Sequence, residues 1–173
     1  LRSETKPMEE RTALTPEATK KLLDEGFKVT VEDCPQRSID IEQYRTNGCE
    51  IQKAGAWLNA PADAIVLGLK ELDEDEFSLA HNHIHFAHVY KEQAGWQQFL
   101  DRFNKGNGTL FDLEYLVDDN GRRVAAFGYW AGFAGAAVAT KAWIEQQLSP
   151  NSPMQPLTSV KSQDELLASI SEQ

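Results

Sequence analysis

All four histidines of this 173-residue chain, His81, His83, His85 and His88, fall within eight residues. Imidazole exchanges a proton near neutral pH and, when neutral, binds zinc or copper through a ring nitrogen. Side chains alternate along an extended segment, so His81, His83 and His85 would share one strand face. Such a row could hold a metal, or it could be a hydrogen-bonded strand end in which one histidine does chemistry. No cysteine lies nearby and no carboxylate partner is defined, so no metal is expected, although His83 is the hardest to set aside. Two lysines stand out by position. Lys70 ends the apolar run at 64–69, which places an amine at the carboxyl end of a buried strand, where open α/β sheets bind ligands. Lys91 follows His88 by three residues. Either amine could hold a substrate carboxylate or, if partly desolvated, act as a base. Solvated strand caps are the alternative for both.

The elements that must position these groups can be read from caps and periodicity. Thr15-Pro16-Glu17 has the form of a helix start, with Thr as cap and Pro at the first helical position, and Gly26 stops that helix. Residues 27–31 alternate as a strand. Asp40 caps a short helix through Tyr44, Gly48 ends it, and residues 49–51 form a brief strand. The run at 64–69 is apolar on both faces, as a central parallel strand should be. Further strands are expected at 84–87, 109–115 and 123–127, with a turn at 118–121 between the last two. Helices are expected at 93–104 and 128–148, and Ser162 to Glu165 has the form of a capping box opening a last helix through Ile170. Strands alternating with helices at short spacing imply an α/β fold with a mostly parallel sheet.

Composition narrows the function classes. A net charge of −10 argues against a general nucleic-acid or acidic-membrane binder, since either needs a cationic footprint. No apolar run reaches the length of a membrane span and the first residues lack the apolar core of a signal peptide, so the chain reads as soluble and cytoplasmic. The acidic run at 71–76 reads as a solvated turn. Cys34 and Cys49 are too few and too widely spaced for a redox pair, a disulfide scaffold or a thiolate zinc site, and half-buried free thiols are expected. Gly128, Gly132 and Gly135 tempt a dinucleotide reading. That fingerprint needs two glycines separated by one residue, and Gly128 and Gly132 are four apart. Small residues permitting close helix packing are the better reading, and no NAD site is expected in this chain.

Longer stretches carry a resemblance. The opening LRSETKPMEERTALTPEATKKLLDEGFKVTVED, then GLKE at 68–71, HIHFAHVYKEQAGWQ at 83–97, GTLFDLEYL at 108–116 and GRRVAAFGYWAGFAGAA at 121–137 resemble the lysine-forming saccharopine dehydrogenases in order and spacing. The opening also resembles, more distantly, alanine dehydrogenase and the matching part of transhydrogenase. The matching covers residues 1–137 and weakens after Ala139.

The resemblance implies a Rossmann-like three-layer domain over residues 1–148, with residues 149–173 a linker and helix leading towards a separate NAD-binding domain. The fragment alone is then expected to be inactive. It implies oxidative cleavage of saccharopine to lysine and 2-oxoglutarate with NAD bound mainly elsewhere. Carried onto matching positions, Lys70 and His88 would be the acid–base pair. Lys6, Arg11, Lys91, Arg122 and Arg123 would hold carboxylates, and Glu9, Glu71 and Glu114 would orient or tune the basic groups. Saccharopine carries three carboxylates and two nitrogens, and a site for it needs several cations beside groups that exchange protons near neutral pH. The alternatives are an alanine-dehydrogenase-like half and a non-catalytic amino-acid-binding module.

Overall fold

The computed structural model describes residues 1–126, 128–158, 160 and 162–172. Two compact units divide it, Leu1–Ala125 and Ala126–Gln173.

Helix starts follow their caps in the first unit. The Thr15 side chain accepts the Ala18 amide (3.2 Å) at the head of α1, Pro16–Asp24. Asp40 accepts the Glu42 amide (2.9 Å) at the head of α2, Ile41–Thr46. Strand β1, Thr30–Glu32, pairs in parallel with β2, Glu50–Gln52. Strand β3, Ile65–Leu67, pairs in parallel with β4, Asn82–His85, which pairs in parallel with β5, Thr109–Asp112. Helix α3, Trp96–Gly106, precedes β5. All ladder pairing is parallel, which bears out the α/β parallel-sheet expectation.

The strands are shorter than their apolar runs, and β4 begins two residues before the expected strand. Residues 113–115 form a 3₁₀ turn instead of extending β5. The strand expected at 123–127 is reduced to one antiparallel bridge, Arg123 to Val117, across the turn at Asp118; Phe127 lies outside the described residues. Asp118 accepts the amides of Asn120 and Arg122 (2.9 Å each) and tightens the turn, and the Val124 amide donates to the Leu116 carbonyl (2.9 Å) beside the bridge.

Leu1 and Arg2 join the two sheets. The Leu1 nitrogen donates to the Thr30 carbonyl (2.7 Å) and its carbonyl accepts the Glu32 amide (2.9 Å), a parallel ladder step on β1. On the other side, the Arg2 amide donates to the Leu67 carbonyl of β3 (2.9 Å). The buried Glu32 carboxylate secures this seam, accepting the amides of Ser3 (2.9 Å), Gly55 (3.1 Å) and Trp57 (2.7 Å). A core of Val31, Tyr44 and Cys49, flanked by Leu23, Ile39, Ile41 and Ile51, packs beside it. Cys34 and Cys49 are free, as expected, but buried and not half-buried.

The histidine row is interior. His83 and His85 are fully buried on β4, where α3 covers them: Phe103 lies edge-on to His83 (5.3 Å) and Phe99 edge-on to His85 (6.0 Å). No ring nitrogen of either has a hydrogen-bond partner among the described residues. Burial, with help from the positive charge of Arg2 and neighbouring imidazoles, pushes His83 down to about 4 and His85 down to about 3. Both rings are therefore neutral at pH 7. An unfolded histidine titrates near about 6.5. As pH falls below that value the unfolded chain takes up protons that the folded chain refuses, so stability is lost towards pH 4. Each ring should contribute up to about 1.4 kcal/mol per pH unit in that window. Urea unfolding at pH 7 and pH 5 should show a larger loss for the native sequence than for His85→Phe. Equal losses would contradict the assignment.

In the second unit, α4 spans Gly128–Leu148 and α5 spans Gln163–Ser171, with Ser162 capping through the Glu165 amide (3.1 Å). Lys141 of α4 reaches the Ser169 carbonyl of α5 (3.4 Å). A Cβ at Gly128, Gly132 or Gly135 would meet nothing within 4 Å, so the close packing expected of these glycines is not made among the described residues. No described helix is long and apolar enough to cross a membrane.

Candidate active site at the carboxyl rim of the sheet

The first unit's strands all end on one rim, and the candidate residues lie in the segments that leave it. Pairing continues briefly past β3 and β4, with the Gly68 amide on the Ile84 carbonyl (2.9 Å) and the Phe86 amide on the Leu69 carbonyl (3.0 Å). Lys70 and Glu71 follow the last of these bonds on one strand, and His88 follows on the other.

His88 has left-handed backbone, φ 54° and ψ 21°, which an L side chain adopts only where its surroundings impose it. The ring stacks on Phe86 (6.1 Å, 19°). Its Nδ1 lies 2.5 Å from a Glu71 carboxylate oxygen, and its Nε2 lies 3.8 Å from a Glu114 oxygen. Glu114 is held in turn by the two terminal guanidinium nitrogens of Arg123, Nη1 at 2.9 Å and Nη2 at 3.0 Å. Asp112, ending β5, accepts the Glu114 amide (3.0 Å) and the Ala87 amide (3.3 Å), so one carboxylate joins the exits of β4 and β5. Partial burial would raise the Glu71 pKa, but the hydrogen bond to His88 and the charges of His88 and Lys70 outweigh it and hold the carboxyl below its ordinary value.

The segment entering from Leu1 supplies a second group. Arg11 forks onto Glu9, with Nε at 2.7 Å and Nη2 at 2.5 Å, and the Arg11 amide adds a bond at 3.1 Å. Against the opposing effect of burial, these bonds and the Lys70 charge hold the Glu9 carboxyl down. The bond to Glu9, opposed by burial, raises the Arg11 pKa. Lys70 thus acts electrostatically on both Glu9 and Glu71, and His88 is tied to Glu71. Lys6 lies 4.0 Å from Asp73, Lys91 sits over the Tyr90 ring (5.4 Å), and Arg122 is exposed in the Asp118 turn. Among the described residues the Lys91 amide donates to the His88 carbonyl (3.0 Å), but no side-chain bond joins Lys6, Lys91 or Arg122 to the His88 cluster.

Sequence reasoning missed Arg2 and Glu4, both buried behind Lys70. Their alternation with Leu1 and Ser3 was the available signal, but charge at those positions points to solvent on partition grounds. Among the described residues, no group of three or more His, Cys, Asp or Glu is arranged to hold a metal ion. A hollow of about 640 Å³ beside β5, lined by Ile84, Val89, Leu100, Leu110 and Phe111, borders the site at Asp112. Its lining is nearly all apolar and does not suit a ligand rich in carboxylates. Gly132 and Gly135 lie inside α4 and Gly128 is its first residue, so among the described residues these glycines are helical.

Comparison with known proteins shows the family and the fold. The model of the alanine dehydrogenase/PNT N-terminal domain matches residues 1–134. Curated relatives include the saccharopine dehydrogenase [NAD(+), L-lysine-forming] of Yarrowia lipolytica, 56% identical over 88% of this chain and 41% of the relative. That of Candida glabrata is 54% identical over 92% of this chain and 43% of the relative. The chain therefore spans less than half the length of either. An L-alanine dehydrogenase structure superposes with a TM-score of 0.64 at 16% identity, covering 85% of this chain and 40% of that one, which shows a shared fold. With the family model covering the whole sheet and every candidate residue on its rim, this chain belongs to the alanine dehydrogenase/PNT N-terminal domain family.

Proposed function

We propose that the chain is the substrate-binding half of an NAD-dependent, lysine-forming saccharopine dehydrogenase, which oxidatively cleaves saccharopine to lysine and 2-oxoglutarate. The observation that carries this reading is His88 held between Glu71 and Glu114, with Arg123 clamping Glu114, on the rim that also bears Lys70. Identity above 50% to relatives named for this activity supports it. So does the ligand chemistry, since a substrate with three carboxylates calls for several cations, for which Lys6, Arg11, Lys91, Arg122 and Arg123 are the candidates. NAD, named in those relatives, is assigned mainly to a separate domain, since Gly128, Gly132 and Gly135 lack the spacing of a dinucleotide turn.

Lys70 takes the proton from the secondary amine of saccharopine, and the hydride lost from the adjoining glutaryl carbon would pass to NAD when bound, which leaves an imine. His88 then activates the water that attacks the resulting imine, and serves the proton transfers that release lysine. Glu71 orients the imidazole, and Glu114 with Arg123 sets the charge on its other side.

Protein made from the complete coding sequence should form NADH with saccharopine and release lysine and 2-oxoglutarate in equal amounts. L-alanine should support less than about a hundredth of that kcat/KM, because its single carboxylate leaves most of the cations unused. Turnover of alanine without saccharopine would favour an alanine-dehydrogenase-like enzyme. Binding of saccharopine without turnover would favour an amino-acid-binding module.

A further inference from the structure

Behind Lys70 lies a buried ion pair that the proposed reaction does not use directly. Arg2 is 3% exposed and Glu4 8% exposed, with 3.6 Å between guanidinium and carboxylate. The two oxygens of Glu4 divide between consecutive amides, Leu69 (2.7 Å) and Lys70 (3.0 Å). The Arg2 guanidinium donates to the Lys70 carbonyl and to the Ser3 carbonyl (3.0 Å). Two side chains thus hold the amide and the carbonyl of Lys70 as well as the amide before it. The backbone that carries the amine is gripped on both sides of its Cα.

Gly68 makes room for this grip. A Cβ there would lie 2.3 Å from Arg2 Nε and 2.6 Å from its guanidinium carbon. The glycine is needed for space, so that the guanidinium can cross the strand and reach Lys70.

Stability alone does not account for the pair. A buried ion pair is offset by desolvation of both charges and is often no better than apolar side chains of similar volume. Apolar substitutes could fill the space but could not satisfy three backbone groups at a strand end. We propose, on the basis of the function assigned above, that Arg2 and Glu4 are positioning residues that set the location of the Lys70 amine. The same segment continues to Lys6 and Arg11, so the clamp also sets the register between the proton-transfer group and two carboxylate-binding candidates. Displacement of a reacting group by about 1 Å costs on the order of a hundredfold in rate.

The test uses protein from the complete coding sequence, with Glu4→Gln and Arg2→Lys as variants. Glutamine has one acceptor oxygen for two amides, and lysine keeps the charge but loses the fork. Two readouts are taken: kcat and KM with saccharopine, and the acetic anhydride labelling rate of Lys70 relative to exposed Lys105, read by mass spectrometry. Each folded variant should lose about tenfold or more in kcat with KM changed less than about threefold, and Lys70 labelling should shift at least about threefold relative to Lys105. If Glu4→Gln does not fold, Arg2→Lys supplies both readouts. Unchanged kcat and unchanged Lys70 labelling in a folded variant would overturn the proposal. If the unaltered protein does not oxidise saccharopine, the functional assignment fails, and the labelling shift alone decides whether Arg2 and Glu4 fix Lys70.

Discussion

Replacing His88 with glutamine should lower kcat for saccharopine oxidation by about a hundredfold to a thousandfold, with little change in stability. General acid–base groups contribute about 10²- to 10⁴-fold, and glutamine retains hydrogen bonding while losing proton exchange. The geometry assigns different tasks to the two ring nitrogens. Glu71, held ionised by its bond to the ring, accepts from Nδ1 at 2.5 Å and so directs exchange to Nε2. At 3.8 Å from Glu114, Nε2 is beyond direct hydrogen-bonding distance, which leaves it able to exchange a proton with a ligand or water. Small stability loss is expected because the ring is partly exposed and glutamine can keep a hydrogen bond to Glu71. Steady-state rates and urea unfolding measured together check both halves. A kcat within threefold of the unaltered protein would remove His88 from the chemistry.

Lys70→Met should have a comparable or larger effect, about a thousandfold in kcat, because no other amine among the described residues acts on both Glu9 and Glu71. Methionine keeps the length of the stem and its packing against the strand end while removing the proton acceptor. KM for saccharopine should change less than kcat, since Lys70 is assigned to proton transfer and not to a carboxylate. Added ethylamine should restore part of the lost rate, as a small amine occupies the space the ammonium leaves. A variant with normal kcat and a raised KM would recast Lys70 as a carboxylate-binding residue.

Much of the fold was legible where side chains speak to their own backbone. Thr15, Asp40 and Ser162 each cap the helix that their spacing announced, because a cap is a local hydrogen bond. Strand limits were less legible, since they depend on a partner. Residues 123–127 alternate well enough for a strand, yet the Asp118 turn leaves them only one bridge. The histidine row shows how type can mislead: His83 and His85 look like ligands in sequence but pack as neutral rings beneath Phe99 and Phe103. At the rim, His88, Glu71, Glu114 and Arg123 came together from four stretches of the resemblance. Among the described residues the side chains of Lys6, Lys91 and Arg122 make no bond to that cluster, so their roles depend on ligand bridging the gap. Arg2 and Glu4 were illegible because burial of opposite charges becomes favourable only when tertiary structure supplies the backbone groups between them.

The pH dependence of kcat/KM for saccharopine, compared among the unaltered protein, Lys70→Met and His88→Gln, tests the acid–base pair most directly. Two groups that must be in opposite protonation states give a bell-shaped profile. The unaltered protein should show both limbs, and each variant should lose a different one. Both limbs persisting at unaltered positions in both variants would contradict the assignment of Lys70 and His88.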